Sequence, residues 1–190
     1  MGTVTFSPRQ HEILGALGRI ILREGFDDLT VAVLADRLRC SRRTLYTLAP
    51  SRDDLIVSVV QDMFTSWMQR AQGAVAEQED DVDAVVAFLA AGLEVGDATA
   101  RFFAAVANHP DTARIHAQFK RDYMSALIQL VERAVPPSKR RSQGVSVTAE
   151  VLAAVVRRLA QLTHAREAPL AEVDAIRMLD ELVRGWLGAG

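Results

Sequence analysis

The chain has a single cysteine, Cys40, which excludes an internal disulfide and a multi-cysteine metal site and fits a reducing compartment. Long apolar runs are absent too. The longest, residues 84–93, is bounded by Asp83 and Glu94 and falls far short of the roughly 20 residues that a membrane-crossing helix needs. The first six residues carry no basic stretch followed by an apolar one, and Phe6 stands where a myristoylation signal has Ser or Thr. A cytoplasmic protein without a membrane partner is therefore expected. Neither sign of charge dominates: 22 Lys and Arg against 24 Asp and Glu leave −2, so nucleic-acid binding would require a local patch. There is no Gly-x-Ser-x-Gly elbow, no phosphate-cradling Gly-rich loop and no His-Glu-x-x-His. The four histidines, His11, His109, His116 and His164, are scattered; His109 and His116 share a face only if the His109-Pro110 junction lies inside a helix, which proline opposes. No catalytic residue, cofactor or metal is expected.

What is present is a chain of 190 residues, 49% hydrophobic and 24% charged, enough for one sizeable core or a small head joined to a larger body. No run alternates as a β-strand and no internal repeat is visible, so the expected fold class is all-α, with about nine helices. Ser7-Pro8-Arg9-Gln10 is a helix start with a capping box and a proline at the first position, and Gly25 ends that helix near residue 24. Thr30 and Ser41 each cap a short segment, the second reaching about Leu48, and Ser51 opens a long amphipathic helix with Asp53 and Asp54 in its first turn. Further apolar periodicity covers residues 82–95, 100–107, 112–135, 148–164 and 169–188, the last opened by Pro169, with a loop-like stretch at 136–147 that carries Lys139-Arg140-Arg141. In the last helix Val173, Ile176, Leu179, Leu182, Val183, Trp186 and Leu187 cover about half the circumference, wider than the roughly 100° stripe one packing partner requires. A second surface must cover the excess.

Two short helices joined by a tight turn form the unit that lays its second helix in a DNA major groove. From Arg37 to Arg52 this chain has five arginines, Arg37, Arg39, Arg42, Arg43 and Arg52, and no acid. Arginine pairs bidentately with guanine or phosphate, whereas Thr44, Tyr46 and Thr47 suit phosphates or the thymine methyl. By pattern alone, an ordinary solvated helix face explains the same charges equally well.

The segment Leu34-Ala35-Asp36-Arg37-Leu38-Arg39-Cys40-Ser41-Arg42-Arg43-Thr44-Leu45-Tyr46 resembles the helix-turn-helix of TetR-family (tetracycline-repressor-like) transcriptional regulators. Gly25-Phe26 and Leu29-Thr30-Val31 in front, and Pro50-Ser51-Arg52-Asp53-Asp54-Leu55 behind, are similar to what flanks it in that family, and the match spans about residues 9–60. The resemblance implies a helix-turn-helix DNA-binding domain at 1–50 and a helical effector-binding and dimerisation domain at 51–190. It implies DNA contacts by Arg37, Arg39, Ser41, Arg42, Arg43, Thr44, Tyr46, Thr47 and, at the start of the fourth helix, Arg52. The chain departs from the family pattern at four places: Arg39 replaces a turn glycine, Arg43 a small residue, Leu48-Ala49 an aromatic pair and Arg52 a lysine. A left-handed Arg39 costs about 1 kcal/mol that glycine avoids. Without an aromatic at Ala49, other contacts must hold the head. Cys40 stands at a small buried aliphatic position, and with no second cysteine to resolve an oxidised form it reads as a hydrophobe.

In such regulators helices four to seven enclose a small-molecule pocket and the last two helices pair two copies. By that resemblance Met63, Trp67, Phe88, Phe102, Phe103, Phe119 and Tyr123 are candidate lining for a largely hydrophobic or aromatic effector, with His109 or His116 as a polar anchor, although each taken singly reads more readily as plain core. Val155, Leu159, Ile176, Leu179, Val183 and Trp186 are the candidate dimer interface. The partners implied are a double-stranded DNA operator, a small effector and a second copy of the chain. The alternative is a helical ligand-binding or interaction protein of the same fold whose head reads DNA weakly or not at all.

Overall fold

Ser7 starts the first helix by reciprocal capping: its Oγ accepts the Gln10 amide at 3.3 Å while its own amide donates to Gln10 Oε1 at 2.8 Å. This is seen in a computed structural model that describes residues 7–26, 29–93, 97–137, 144–163 and 169–187, with side chains left out at 97–101. Helix α1 (Pro8–Glu24) buries Ile13, Leu14, Leu17, Ile20 and Ile21 on one face and ends at Gly25, whose φ of 76° needs a residue without Cβ. Thr30 caps α2 (Val31–Arg37) by accepting the Val33 amide, and Ser41 caps α3 (Arg42–Tyr46) by accepting the Thr44 amide at 3.0 Å. Helix α3 stops short of Leu48; Leu48 and Ala49 follow as a turn whose amides bond to the Leu45 carbonyl, and both are buried. Then comes α4 (Arg52–Ala76).

The turn between α2 and α3 closes α2 in a Schellman motif. The Cys40 amide donates to the Ala35 carbonyl and the Arg39 amide to the Asp36 carbonyl, both at 3.0 Å. That geometry requires a left-handed residue at the position of Arg39, and its φ is 50°. Arg39 is the only non-glycine residue with positive φ among those described.

The remaining helices are α5 (Asp81–Ala90), capped by Asp80, α6 (Asp97–Asn108), α7 (Pro110–Ala134), α8 (Val145–Thr163) and α9 (Glu172–Leu187), which makes nine helices and no strand among the described residues. Helix α5 ends five residues before its periodicity does. Tight turns through Gly92 and Leu93 replace it, and the turn suits glycine, since a Cβ on Gly92 would lie 3.1 Å from the Leu89 carbonyl oxygen and 3.2 Å from Val156. Helix α9 starts at Glu172 rather than Pro169: the Leu170 amide is drawn back to the Leu162 carbonyl of α8, which holds Pro169 and Leu170 outside the helix. Between α6 and α7 the chain turns at His109, Pro110 opens α7, and the buried Thr112 hydroxyl ties the turn by donating to the Val106 carbonyl at 2.7 Å.

Packing forms two compact units, Met1–Ser66 with Ala98–Gln118, and Trp67–Asp97 with Phe119–Gly190; α4 and α7 each continue from one into the other. The boundaries differ from the 1–50 and 51–190 division, which is a division by role, because the first half of α4 and the helices around His109 share the head's core. In the first unit α1 and α4 approach so closely that a Cβ on Gly18 would lie 3.0 Å from Met63 Sδ, and His11 Nδ1 meets Asp62 Oδ1 at 3.1 Å. In the second, α5 packs against α8 and α9 around Val85, Phe88, Leu89, Leu152, Leu179 and Val183, each buried aliphatic worth roughly 1.5–3 kcal/mol. Arg133 pairs with Asp81, and Arg184 with both Asp83 and Asp180, on its surface. Met1 to Phe6, the Lys139-Arg140-Arg141 cluster and His164 lie outside the described residues. No described helix is long and apolar enough to cross a membrane.

The strain at Arg39 is measurable. Arg39→Gly should stabilise the protein by about 1 kcal/mol, raising the denaturant midpoint at an unchanged slope; a midpoint that stays put or falls would show that the turn carries no strain.

Candidate nucleic-acid interface

Helix α3 has one inward anchor and several outward residues. Leu45 is buried, whereas Arg42, Arg43, Tyr46 and Thr47 are exposed, Thr44 is half-buried, and Ser41 at the cap is exposed. Three hydroxyls are satisfied locally: Ser41 Oγ and Thr44 Oγ1 share a hydrogen bond at 2.9 Å, and Thr47 Oγ1 donates to the Thr44 carbonyl at 2.7 Å. This ties each hydroxyl to the helix itself. Arg39, Arg42 and Arg43 are all exposed, and among the described residues none has a carboxylate partner. Three uncompensated guanidinium groups within five residues make a positive surface beside the cap of α3. Cys40, between Arg39 and Ser41, is half-buried rather than the fully buried hydrophobe the resemblance suggests.

The other two arginines behave differently. Arg37 Nη1 pairs with the Glu24 carboxylate, and the hydrogen bond holds that carboxyl below its ordinary pKa while raising that of Arg37. Arg37 thus joins the end of α1 to the end of α2 at the margin of the patch. Arg52 is engaged by its own chain. Its Nε donates to the Leu29 carbonyl at 2.7 Å, its Nη2 to the Phe26 carbonyl and its Nη1 to Asp53 Oδ1 at 2.8 Å. The expected contact of Arg52 with a DNA backbone does not match this arrangement: two main-chain carbonyls that end the α1–α2 link need donors, and the planar guanidinium spans both.

Helices α8 and α9 separate into two apolar surfaces. Ala175, Leu179, Val183 and Leu187, at intervals of four, face the chain's own core, as does Leu159 of α8. Leu159, Leu179 and Val183 are therefore corrected from candidate interface to core: they lie on the stripe that meets α5. Val155 is half-buried, while Ile176 at 38% and Trp186 at 39% remain exposed. Periodicity had not singled out Met178, at 48%, or Val147, at 63%, which are exposed as well. Ile176, Trp186, Met178 and Val147 thus keep apolar surface exposed outside the filled core.

Known structures share this fold. A TetR-family transcriptional regulator from Streptomyces coelicolor superposes with a TM-score of 0.72 at 16% identity, covering 97% of this chain and 90% of that one. A TetR/AcrR-family regulator from Aquifex aeolicus VF5 gives 0.70 at 14%, covering 94% and 98%, and a transcriptional regulator from Saccharomonospora viridis in complex with choline gives 0.72 at 14%, covering 94% and 97%. No family model and no curated protein matches the chain. The chain has the TetR-family fold.

In that TetR-like fold the candidate effector residues divide between the two units. In the first, Met63 is buried against Gly18, and Phe64 stacks on Phe103 (centroids 5.9 Å apart, planes at 11°), with His116 beside Phe103 at 5.2 Å and Phe102 edge-on at 6.0 Å from Phe64. His109 is not placed as a polar anchor within that ring cluster: its ring packs edge-on against Phe26 at 5.7 Å, and its buried Nδ1 has no hydrogen-bond partner among the described residues. In the second unit Phe119 meets Trp67 at 6.3 Å and Tyr123 at 6.2 Å, and Tyr123 lies 4.9 Å from Phe88. Burial pushes the Tyr123 phenol up to about 12.

The chain has two tyrosines, Tyr46 and Tyr123, so a Tyr46→Phe variant isolates the buried one. Its tyrosinate absorbance should rise in one step near pH 12. Because the folded value lies above the unfolded one of about 10, this contribution to stability is full below pH 10 and is lost as pH climbs through the folded value. A step at the ordinary value would mean that water reaches the hydroxyl.

Proposed function

We propose that the protein is a cytoplasmic, sequence-specific DNA-binding transcriptional regulator that acts as a homodimer, a repressor released from its operator by a small, largely hydrophobic or aromatic effector. The observation that carries this reading is the surface of Arg39, Arg42 and Arg43 around a capped, core-anchored α3 in a TetR-like fold. Helix α3 would enter the major groove, with Arg42 and Arg43 at base edges or phosphates, Tyr46 and Ser41 on the backbone, and Thr44 and Thr47 presenting methyl groups. Arg39 would add a phosphate contact from the turn, and Arg37 would sit at the margin of the footprint. No residue is assigned a catalytic role.

Two reading heads must meet two half-sites about one helical turn apart, so pairing of two copies is part of the mechanism. Ile176, Trp186 and the half-buried Val155 supply the outward apolar surface for it. Aromatic rings in both units suit a flat or apolar effector, and a neighbour of the same fold holds choline, a small molecule. Effector binding would shift α4, change the separation of the heads and end simultaneous docking. The 1–50 and 51–190 division by role follows from this assignment.

Binding to the DNA upstream of the protein's own gene, measured across salt, tests the function. Specific binding with a steep salt slope is expected, and Arg42→Ala or Arg43→Ala should each lower the slope by about one unit and cost about 1 to 3 kcal/mol where the side chain reads a guanine. Weak binding that ignores sequence would sink the DNA-reading function. For the pairing surface, Trp186→Asp with Ile176→Asp should convert a dimer to a folded monomer in sedimentation, because each places a charge in an apolar contact; a dimer that survives both substitutions places the interface elsewhere.

A further inference from the structure

The link between α1 and α2 is gripped from two sides at one residue. Phe26 is 1% exposed; its carbonyl accepts the Arg52 guanidinium from α4 and also the Leu29 amide at 3.3 Å, and its ring meets the edge of His109 from the turn between α6 and α7. Arg52 completes the grip by donating from Nε to the Leu29 carbonyl. All of these residues lie within the first compact unit. The imidazole of His109 contributes a ring face and edge rather than a hydrogen bond, since Nδ1 is buried with no partner among the described residues.

We infer that Arg52 and His109 are positioning residues that set how the head is presented to DNA, acting through Phe26 rather than by touching the duplex. The inference rests on the DNA-reading function proposed above. Three observations support it. The Arg52 guanidinium is engaged by two main-chain carbonyls at part-buried contacts, with Nη1 on the exposed Asp53 carboxylate. Leu48 and Ala49, where the resembled family has an aromatic pair, are buried but offer no ring, and the α1–α2 link gives the head a second hold. Finally, α4 and the α6–α7 turn are separate elements that reach the same residue, so a displacement of either moves Phe26.

The test uses the full-length protein, a duplex that it selects from a randomised pool, and a random-sequence duplex of equal length. Arg52→Lys keeps the charge but cannot span two carbonyls, and His109→Leu keeps bulk but loses the ring. Each should weaken the selected duplex about ten-fold, the order that one charge-assisted hydrogen bond or ring contact carries, while affinity and salt slope on the random duplex stay as in the wild type. The double variant should lose clearly less than the product of the two, since both act through Phe26. Hydrogen exchange should quicken at the Leu29 amide in Arg52→Lys and stay unchanged at Val59 in α4.

Arg52→Lys binding the selected duplex within about two-fold of wild type, together with a salt slope about one unit lower in Arg52→Gln on the random duplex, would make Arg52 a phosphate contact and overturn the inference. A double variant that loses the full product overturns the shared role of Phe26. If the wild type prefers no duplex, the DNA-reading function fails instead, and the grip on Phe26 is then decided by the Leu29 amide alone: exchange unchanged in Arg52→Lys overturns it.

Discussion

A helix of five residues cannot hold its own shape in water, because nucleation fixes several dihedrals for a single hydrogen bond. Helix α3 exists because its surroundings hold it, and every functional statement about this chain depends on that. Ser41 supplies the missing acceptor at its start, Leu45 buries its inner face, and the Schellman turn before it sets the direction in which it leaves α2. With one face of a single turn committed inward, Arg42, Arg43, Tyr46 and Thr47 have nowhere to go but outward. The surface is a consequence of the anchor.

The five arginines between 37 and 52 show why charge counting is an incomplete guide to an interface. Arg37 has Glu24 beside it, and Arg52 is turned onto carbonyls, so only Arg39, Arg42 and Arg43 present guanidinium groups without a carboxylate partner among the described residues. An ion pair with Glu24 at an exposed site contributes little to stability. It does cancel field, and field is what a polyanion senses at a distance.

Much of the fold was legible because helix ends announce themselves chemically. Ser7, Thr30 and Ser41 cap where the sequence places them, Gly25 stops α1, and the left-handed backbone at Arg39 falls where the resembled family has a turn glycine. Less of the site could be read. Arginine is long enough to reach solvent or a nearby carbonyl, so the inward course of Arg52 depends on where Phe26 and Leu29 end the α1–α2 link, information that a one-dimensional pattern lacks. The breadth of the apolar arc on α9 correctly implied two surfaces, yet the pattern could not say which residues lay on which: Leu179 and Val183 went to the core, and Ile176 and Trp186 did not. His109 read as polar because histidine usually is; its ring against Phe26 is a packing fact with no sequence signal.

Arg39 and Arg52 are best understood together. At one, the chain carries a cationic side chain on a backbone conformation that glycine would adopt at lower cost; at the other, a cation at the head of α4 serves the protein's own main chain. Relative to the family pattern that places glycine at the turn and lysine at the start of the fourth helix, outward charge has moved from α4 to the turn between α2 and α3. Arg43, where that pattern has a small residue, adds a further outward cation on α3. Between Arg37 and Arg52, the guanidinium groups without a carboxylate partner among the described residues therefore lie at the turn and the first residues of α3, ahead of its buried anchor Leu45.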